Sequence, residues 1–446
     1  MNQTRKRRAF ARIVLPVTAV LLPALTFCIV AACSCVNIPS LDDYDAGLNY
    51  LNQNAQLATL SEKFLYLLAA QQNEYKIVFG HAVIWAQVAI FGNVDFRVTC
   101  LLGDVFALFI GALLWKMFLP QERYLAKRLA LFIPVSLLIF QLNYAETLNW
   151  ALPGLQNINI IFFSLAAIYL LVKKTQSSFW GAIVMLVLAI ATSGNGFFVV
   201  PVGILILVID RQYGRITVWL GTTAVCIVGY AYHYNMMSSQ SPKHHSILAT
   251  VMHLNPLYLV SFVGATAFFP RFLSLVLGFA LLGFFAFMIR RGYCRKHPLV
   301  CYCVLFLLFT AIGVAGIRSE LGMISATSPR YRIYSDLFII FAWFAFVDEF
   351  LAARRESVRR IRSYVMALAC AFILFLIGDA WGVHHLIKRN RGLEKGMALY
   401  EHPQIPGTAG PVFVPADKPG TQGFADRART IMTRSIELHI YNPPKY

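Results

Sequence analysis

The chain has 446 residues, of which 58% are hydrophobic and 13% charged, with a mean hydropathy of +0.62 and a formal net charge of +18. A soluble protein carries about 25% charged residues, so a soluble globular enzyme or binding module is excluded. The positive balance could fit a nucleic-acid partner, but the basic residues lie in short clusters between apolar runs. That is how membrane topology signals look, and no nucleic acid is expected.

Apolar stretches of about 18 residues recur along most of the chain. In lipid the backbone must satisfy its own hydrogen bonds, so each stretch is expected to be a helix. No ten-residue alternation of the kind a β-barrel needs is visible. The expected fold class is all-α: a polytopic transmembrane helical bundle of about eleven spans.

In chain order, Arg5, Lys6, Arg7 and Arg8 precede an apolar run over 13–35. Its end, Val30-Ala31-Ala32-Cys33, loosely resembles a lipoprotein cleavage box. The run is longer than a signal h-region, so it reads as a retained first helix with its N-terminus cytoplasmic. Further spans are predicted near 98–119, 129–142, 157–172, 178–191, 197–209, 216–234, 272–289, 298–316, 334–351 and 364–381, while 256–270 reads as a surface or re-entrant helix.

Basic clusters at 5–12, 123–128, 173–174, 211–215, 290–296 and 354–362 alternate with loops poor in Lys and Arg, which places the basic loops in the cytoplasm of an inner-membrane protein. Residues 36–97, 143–156, 192–196, 235–255 and 317–333 then lie outside. By parity the tail 382–446 is also outside, although Lys388, Arg389, Arg391 and Lys395 directly follow the last span. The long first outer loop has apolar stretches interrupted by Glu62, Lys63, His81 and Gln87, a pattern that suits interfacial helices forming a cap. The nine cysteines give no disulfide framework, and most, including Cys28, Cys100, Cys226, Cys301 and Cys370, read as small buried hydrophobes.

The polar chemistry sorts to the outer face. Asp42-Asp43-Tyr44-Asp45 follows the first helix. A carboxylate there could serve as general base toward a hydroxyl, and Asp42 and Asp43 together could hold a divalent metal. A solvated turn is the alternative. Glu74 could support the base. Lys76, Arg330 and Arg332, beside apolar runs at headgroup depth, suit a phosphate or interfacial anchoring. Tyr44, Asn73, Glu146, Asn149 and Trp150 could bind an acceptor or a sugar ring. The adjacent His244 and His245 read as loop filler rather than metal ligands, and Ser193-Gly194-Asn195-Gly196 as a tight turn.

The acidic pair after the first helix, the long outer loop, the Gln72-Asn73-Glu74-Tyr75-Lys76-Ile77 motif and Arg330-Tyr331-Arg332-Ile333-Tyr334-Ser335 together resemble the GT-C superfamily of integral membrane glycosyltransferases. The second motif looks like the N-E-H-R-I motif of one bacterial branch, with Tyr75 for His and Lys76 for Arg. The resemblance covers about residues 13–351 and implies a catalytic module over 1–351, leaving 352–381 as a basic loop with the last span and 382–446 as an outer tail.

The resemblance implies transfer of a sugar from a polyprenyl-phosphate donor to an outer glycan or lipid acceptor, such as lipopolysaccharide O-antigen, with membrane lipids as surroundings. An O-antigen polymerase or ligase, or a flippase for a lipid-linked sugar, is the alternative. Asp104 and Asp379, near predicted span ends, are the charges a transporter would use.

Overall fold

The computed structural model describes residues 3–72, 75–119, 121–122, 124–235, 255–351, 358–401 and 421–444. Among the described residues there is no strand, only two isolated bridges, Gln72 with Tyr75 and Val94 with Tyr441. The chain is an all-helical bundle. Each predicted span falls on a helix, and six stretches are long and apolar enough to cross a membrane: Ile13–Ser34, Phe96–Met117, Ala151–Val172, Phe272–Arg290, Pro298–Leu321 and Ile361–Ala398. The remaining predicted spans correspond to shorter or more polar helices.

Helix α1 (Gln3–Ser34) leads into a π-helical segment Asp43–Asn49 and the cap helices α2 (Tyr50–Ala55), α3 (Leu60–Ala69) and α4 (Val78–Phe91). Thr59 and Glu62 start α3 by satisfying each other's backbone N–H groups in a capping box. Asp95, accepting from Arg97 N at 2.8 Å, starts α5 (Phe96–Met117). The core follows with α6 (Leu125–Ile139), a 3₁₀ segment Leu142–Thr147, α7 (Ala151–Val172), α8 (Gln176–Thr192), α9 (Val199–Ile209) and α10 (Tyr213–Ala231). Helix α7 is buried along most of its length between α5 and α8, and Gly103 of α5 lets its backbone approach Gly154.

After the short α11 (Pro256–Val263), residues 264–266 enter the interior, so the stretch expected at the surface or re-entrant runs into the bundle. There Thr266 Oγ1 donates to Asp336 at 2.7 Å. The last elements are α12 (Phe272–Arg290), α13 (Pro298–Arg318), α14 (Pro329–Phe346), α15 (Val358–Glu401) and α16 (Thr421–Glu437). Large apolar side chains such as Leu21, Phe109, Val184, Val228, Phe279 and Phe372 stay exposed on these helices, a burden only a lipid surround relieves.

The cysteine expectation needs one correction. Cys301 is bonded to Cys294 in a disulfide rather than standing alone. The turn Tyr293–Lys296 folds back onto α13 and brings the two Cα atoms to 5.6 Å, within bridging range.

Helix α15 has 44 residues and is therefore roughly 66 Å long, about twice the thickness of a hydrocarbon core. It packs on the 3₁₀ segment through Gly378 and Gly382. A Cβ on Gly382 would stand 2.2 Å from Leu142 O, so only glycine permits this approach. Asp379 then accepts from Leu142 N at 2.8 Å.

The loops segregate into two ends. At one end Lys174 pairs with Asp210 at 2.7 Å, Lys296 with Glu349 at 3.4 Å and His297 with Asp348 at 3.4 Å, all on the basic loops or their neighbours. At the other end Gln156 bonds Ser193 at 3.0 Å, Gln71 bonds Asn235 at 2.9 Å, and Asn195 bonds Tyr334 at 3.1 Å. The stretch after residue 382 joins this second end. Asn52 donates to Ile431 O, Val94 N to Ile440 O, and Tyr441 OH to Asn37 O at 2.7 Å.

Candidate functional site

At the second end, the acidic cluster after α1 is divided among different partners. Asp43 is 1% exposed. Its Oδ2 accepts from Ser40 N at 3.1 Å and its Oδ1 from Leu152 N at 3.0 Å. A carboxylate on the first turn of α7 is favoured by the exposed N–H groups and the helix dipole there. Burial pushes the Asp43 carboxyl up to about 7, against the opposing pull of the Leu152 and Ser40 donors and of Arg389.

Asp45 is not left to solvent. It forms an ion pair with Arg427 of α16 at 2.6 Å. Asp42, half-buried, starts the π-helical segment and lies in the field of Arg330. Each Asp43 oxygen already accepts one N–H group, which leaves it one lone pair for any further partner. Among the described residues no group of three or more His, Cys, Asp and Glu is placed to hold a metal ion.

Glu146, half-buried on the 3₁₀ segment, is the centre of the charged cluster: Arg330 and Arg332 of α14 and His385 and Arg389 of α15 all feel its charge. Pro329 at the first turn of α14 sets the helix start, so Arg330 leaves it toward Glu146, Tyr75 and Asp42. The Arg330 Nε has no hydrogen-bond partner. Arg330 also lines a cavity of about 250 Å³, together with polar residues such as Tyr75, Gln156, Asn195 and Arg318 and apolar ones such as Phe198, Ile160 and Val314. A larger cavity of about 680 Å³ lies at the basic end, but its lining is mainly apolar and its Lys174 and Asp210 are paired with each other.

The other sequence candidates are placed differently. Lys76 is fully buried and its Nζ donates to Leu68 O at 2.6 Å and to Tyr232 O, tying the first outer loop to the end of α10. Burial holds its ammonium below the usual lysine range. Arg332 donates Nε to Thr327 O and Nη1 to Asn143 O, each at 3.0 Å. Its guanidinium lies between the Phe268 and Trp381 rings, 3.7 and 4.1 Å from their centroids. Both cations brace the fold with donors that a phosphate would otherwise use.

Tyr44 and Trp150 are buried. Asn149 donates to Asn390 Oδ1 at 2.8 Å, leaving its own Oδ1 without a partner. Asn73, Glu74, His244 and His245 lie outside the described residues. The site candidates linked electrostatically are thus Asp42, Glu146 and Arg330, with Asp43 buried beside Asp42 in the chain.

Sequence reasoning missed His385, Arg389 and Asp336. The misplaced basic cluster at 388–395 was the signal for Arg389, and the four-residue step from Arg332 to an acid inside an apolar run was the signal for Asp336. Asp336 Oδ1 accepts from Gln141 at 2.8 Å and Asn143 at 3.2 Å, while its Oδ2 has no partner. Compared with family models, curated proteins and solved structures, the chain matches none.

Proposed function

We propose that this chain is an integral membrane glycosyltransferase that moves a sugar from a polyprenyl-phosphate donor to an acceptor outside the cytoplasmic membrane, with surface glycans such as O-antigen, or a lipid, as the acceptor class. The observation that carries the reading is Arg330, which feels the charges of Asp42 and Glu146 and lines a cavity of mixed polar, aromatic and apolar side chains. The guanidinium of Arg330, with Nε open, suits the donor phosphate, and the apolar side chains in the cavity lining suit the first isoprene units. Asp42 accepts the proton of the acceptor hydroxyl as that oxygen attacks the anomeric carbon. The carbon–phosphate oxygen bond breaks on the opposite face, and the polyprenyl phosphate leaves as an anion held by Arg330.

Transfer of a labelled sugar from a synthetic polyprenyl-phosphate donor by the purified chain tests this. In Arg330→Gln the donor KM is expected to rise about 10-fold or more, since a hydrogen bond to a charged group is worth about 1.5–3 kcal/mol. Unchanged kinetics would remove Arg330 from the site.

The orientation is part of the proposal. A cysteine introduced at Asn442 in a cysteine-depleted chain is expected to react with a membrane-impermeant maleimide from outside the cell, and one at Lys174 only after lysis. The reverse pattern would place the site in the cytoplasm and end the reading.

One observation favours a second reading, transport of a lipid-linked sugar. Asp104, Asp336 and Asp379 sit buried or half-buried within apolar helices, and the chain between α6 and α7 is broken at the 3₁₀ segment. Translocation of a fluorescent lipid-linked sugar in proteoliposomes without sugar transfer would favour it.

A further inference from the structure

We propose that the outer half of α15 is a wall of this site and that Arg389 is the positioning residue for Asp42, acting through Ser40. The proposal rests on the transferase reading for its rate effect, but not for its geometry.

Trp381, His385 and Arg389 follow one another at four-residue steps and so share one face of α15. Trp381 covers the Arg332 guanidinium, and the His385 ring stacks on Trp381 with centroids 4.8 Å apart. Arg389 lies over the Trp150 ring at 4.9 Å and donates Nη2 to Ser40 Oγ at 2.7 Å.

Ser40 is where three elements meet. Its N–H donates to Asp43 Oδ2, its carbonyl accepts from Trp150 Nε1 at 3.0 Å and from Asp43 N at 2.9 Å, and its hydroxyl accepts from Arg389. The next residue, Leu41, has φ +45°, a left-handed conformation that costs a non-glycine residue about 1–2 kcal/mol and persists only where its surroundings over-determine it. Asp42 follows directly. If the Ser40 contacts loosen, Leu41 relaxes and Asp42 turns away.

Arg389 is 6% exposed and its Nε has no partner. A buried donor left open costs about 1–3 kcal/mol, which an apolar residue of similar size would avoid. Its charge, not only its bulk, is therefore in use. The charged and titratable groups facing the Asp43 end of this turn are Asp42 and Tyr44 from the turn itself, Arg389 from α15 and Cys100 from α5. Arg330 faces Asp42 from α14, and Glu146 faces Arg389.

The test uses the full chain with Arg389→Gln, Arg389→Lys, Ser40→Ala and the Ser40→Ala/Arg389→Gln double variant. In Arg389→Gln, kcat is expected to fall about 10–100-fold with donor KM little changed, since a misplacement of about 1 Å can cost 10²-fold. Arg389→Lys recovers part of the loss. The double variant falls no further than the worse single one, because both act on one contact.

A second readout needs no transfer activity: the pH at which a hydrophobic carbodiimide half-labels Asp43, followed by peptide mapping. Removing the Arg389 cation is expected to move that pH upward in Arg389→Gln and not in Arg389→Lys. An unmoved labelling curve overturns the proposal, as does an active enzyme whose kcat is unchanged in Arg389→Gln. A moved curve in a protein that transfers no sugar supports the contact and overturns only the transferase reading.

Discussion

An Asp42→Asn variant is expected to lose about 10²–10⁴ in transfer rate while retaining donor binding, because general-base assistance is typically worth that much. Asn is nearly isosteric and keeps the start of the π-helical segment, so the loss reports proton acceptance rather than folding. Of the acidic cluster, Asp42 is the residue whose placement suits the task. Asp43 is enclosed by the Ser40 and Leu152 N–H groups, and Asp45 is bound to Arg427. Asp42 lies in the Arg330 field, where the donor phosphate would lie. Asp45→Asn should leave kcat within about 10-fold, since one half-exposed ion pair contributes about 1 kcal/mol or less to holding α16 on the cap. A sugar-transfer assay on both variants, with membrane levels matched, separates these roles. Near-normal turnover in Asp42→Asn would leave the cluster as a folding device.

Asp43 should make the protein less stable as pH rises. Its folded-state value of about 7 lies above the ordinary 3.8, so the folded state keeps a proton that the unfolded chain releases. Below 3.8 both states are protonated and the group's contribution is fully present. It falls as pH climbs through the interval and settles above about 7 at a penalty on the order of 4 kcal/mol. Asn has no such proton to lose. Denaturation in mixed micelles across pH 4 to 8 should therefore show wild type declining relative to Asp43→Asn by roughly that amount. Parallel pH dependences would mean that Asp43 is ionised in the folded state throughout, with Arg389 compensating its burial.

The helices were legible in the sequence because hydropathy dictates them: a backbone in lipid has few alternatives to the helix, and the apolar runs mark where it is needed. The clustering of Asp42, Glu146 and Arg330 was visible as polar residues sorted to alternate loops. What sequence could not tell was how each cation is used. Lys76 and Arg332 look like phosphate ligands in one dimension, yet their donors go to the carbonyls of Leu68, Tyr232, Thr327 and Asn143, which fold over them from distant segments. The basic run after residue 387 stood against the outside placement expected for the tail by parity. Of that run, Arg389 turns inward to Ser40 and Trp150, while Lys388 and Arg391 remain at the surface.

The contact between Val94 N and Ile440 O has a consequence for biogenesis. The two residues are 440 − 94 = 346 positions apart, so at about 5–20 residues per second the ribosome needs roughly 20–70 s after making the first to deliver the second. Throughout that interval Asn37, Asn52 and Phe96 lack the partners that later cover them. The cap must therefore wait at the membrane surface as a half-built shell, the stage at which a chaperone or a protease on that side would meet it.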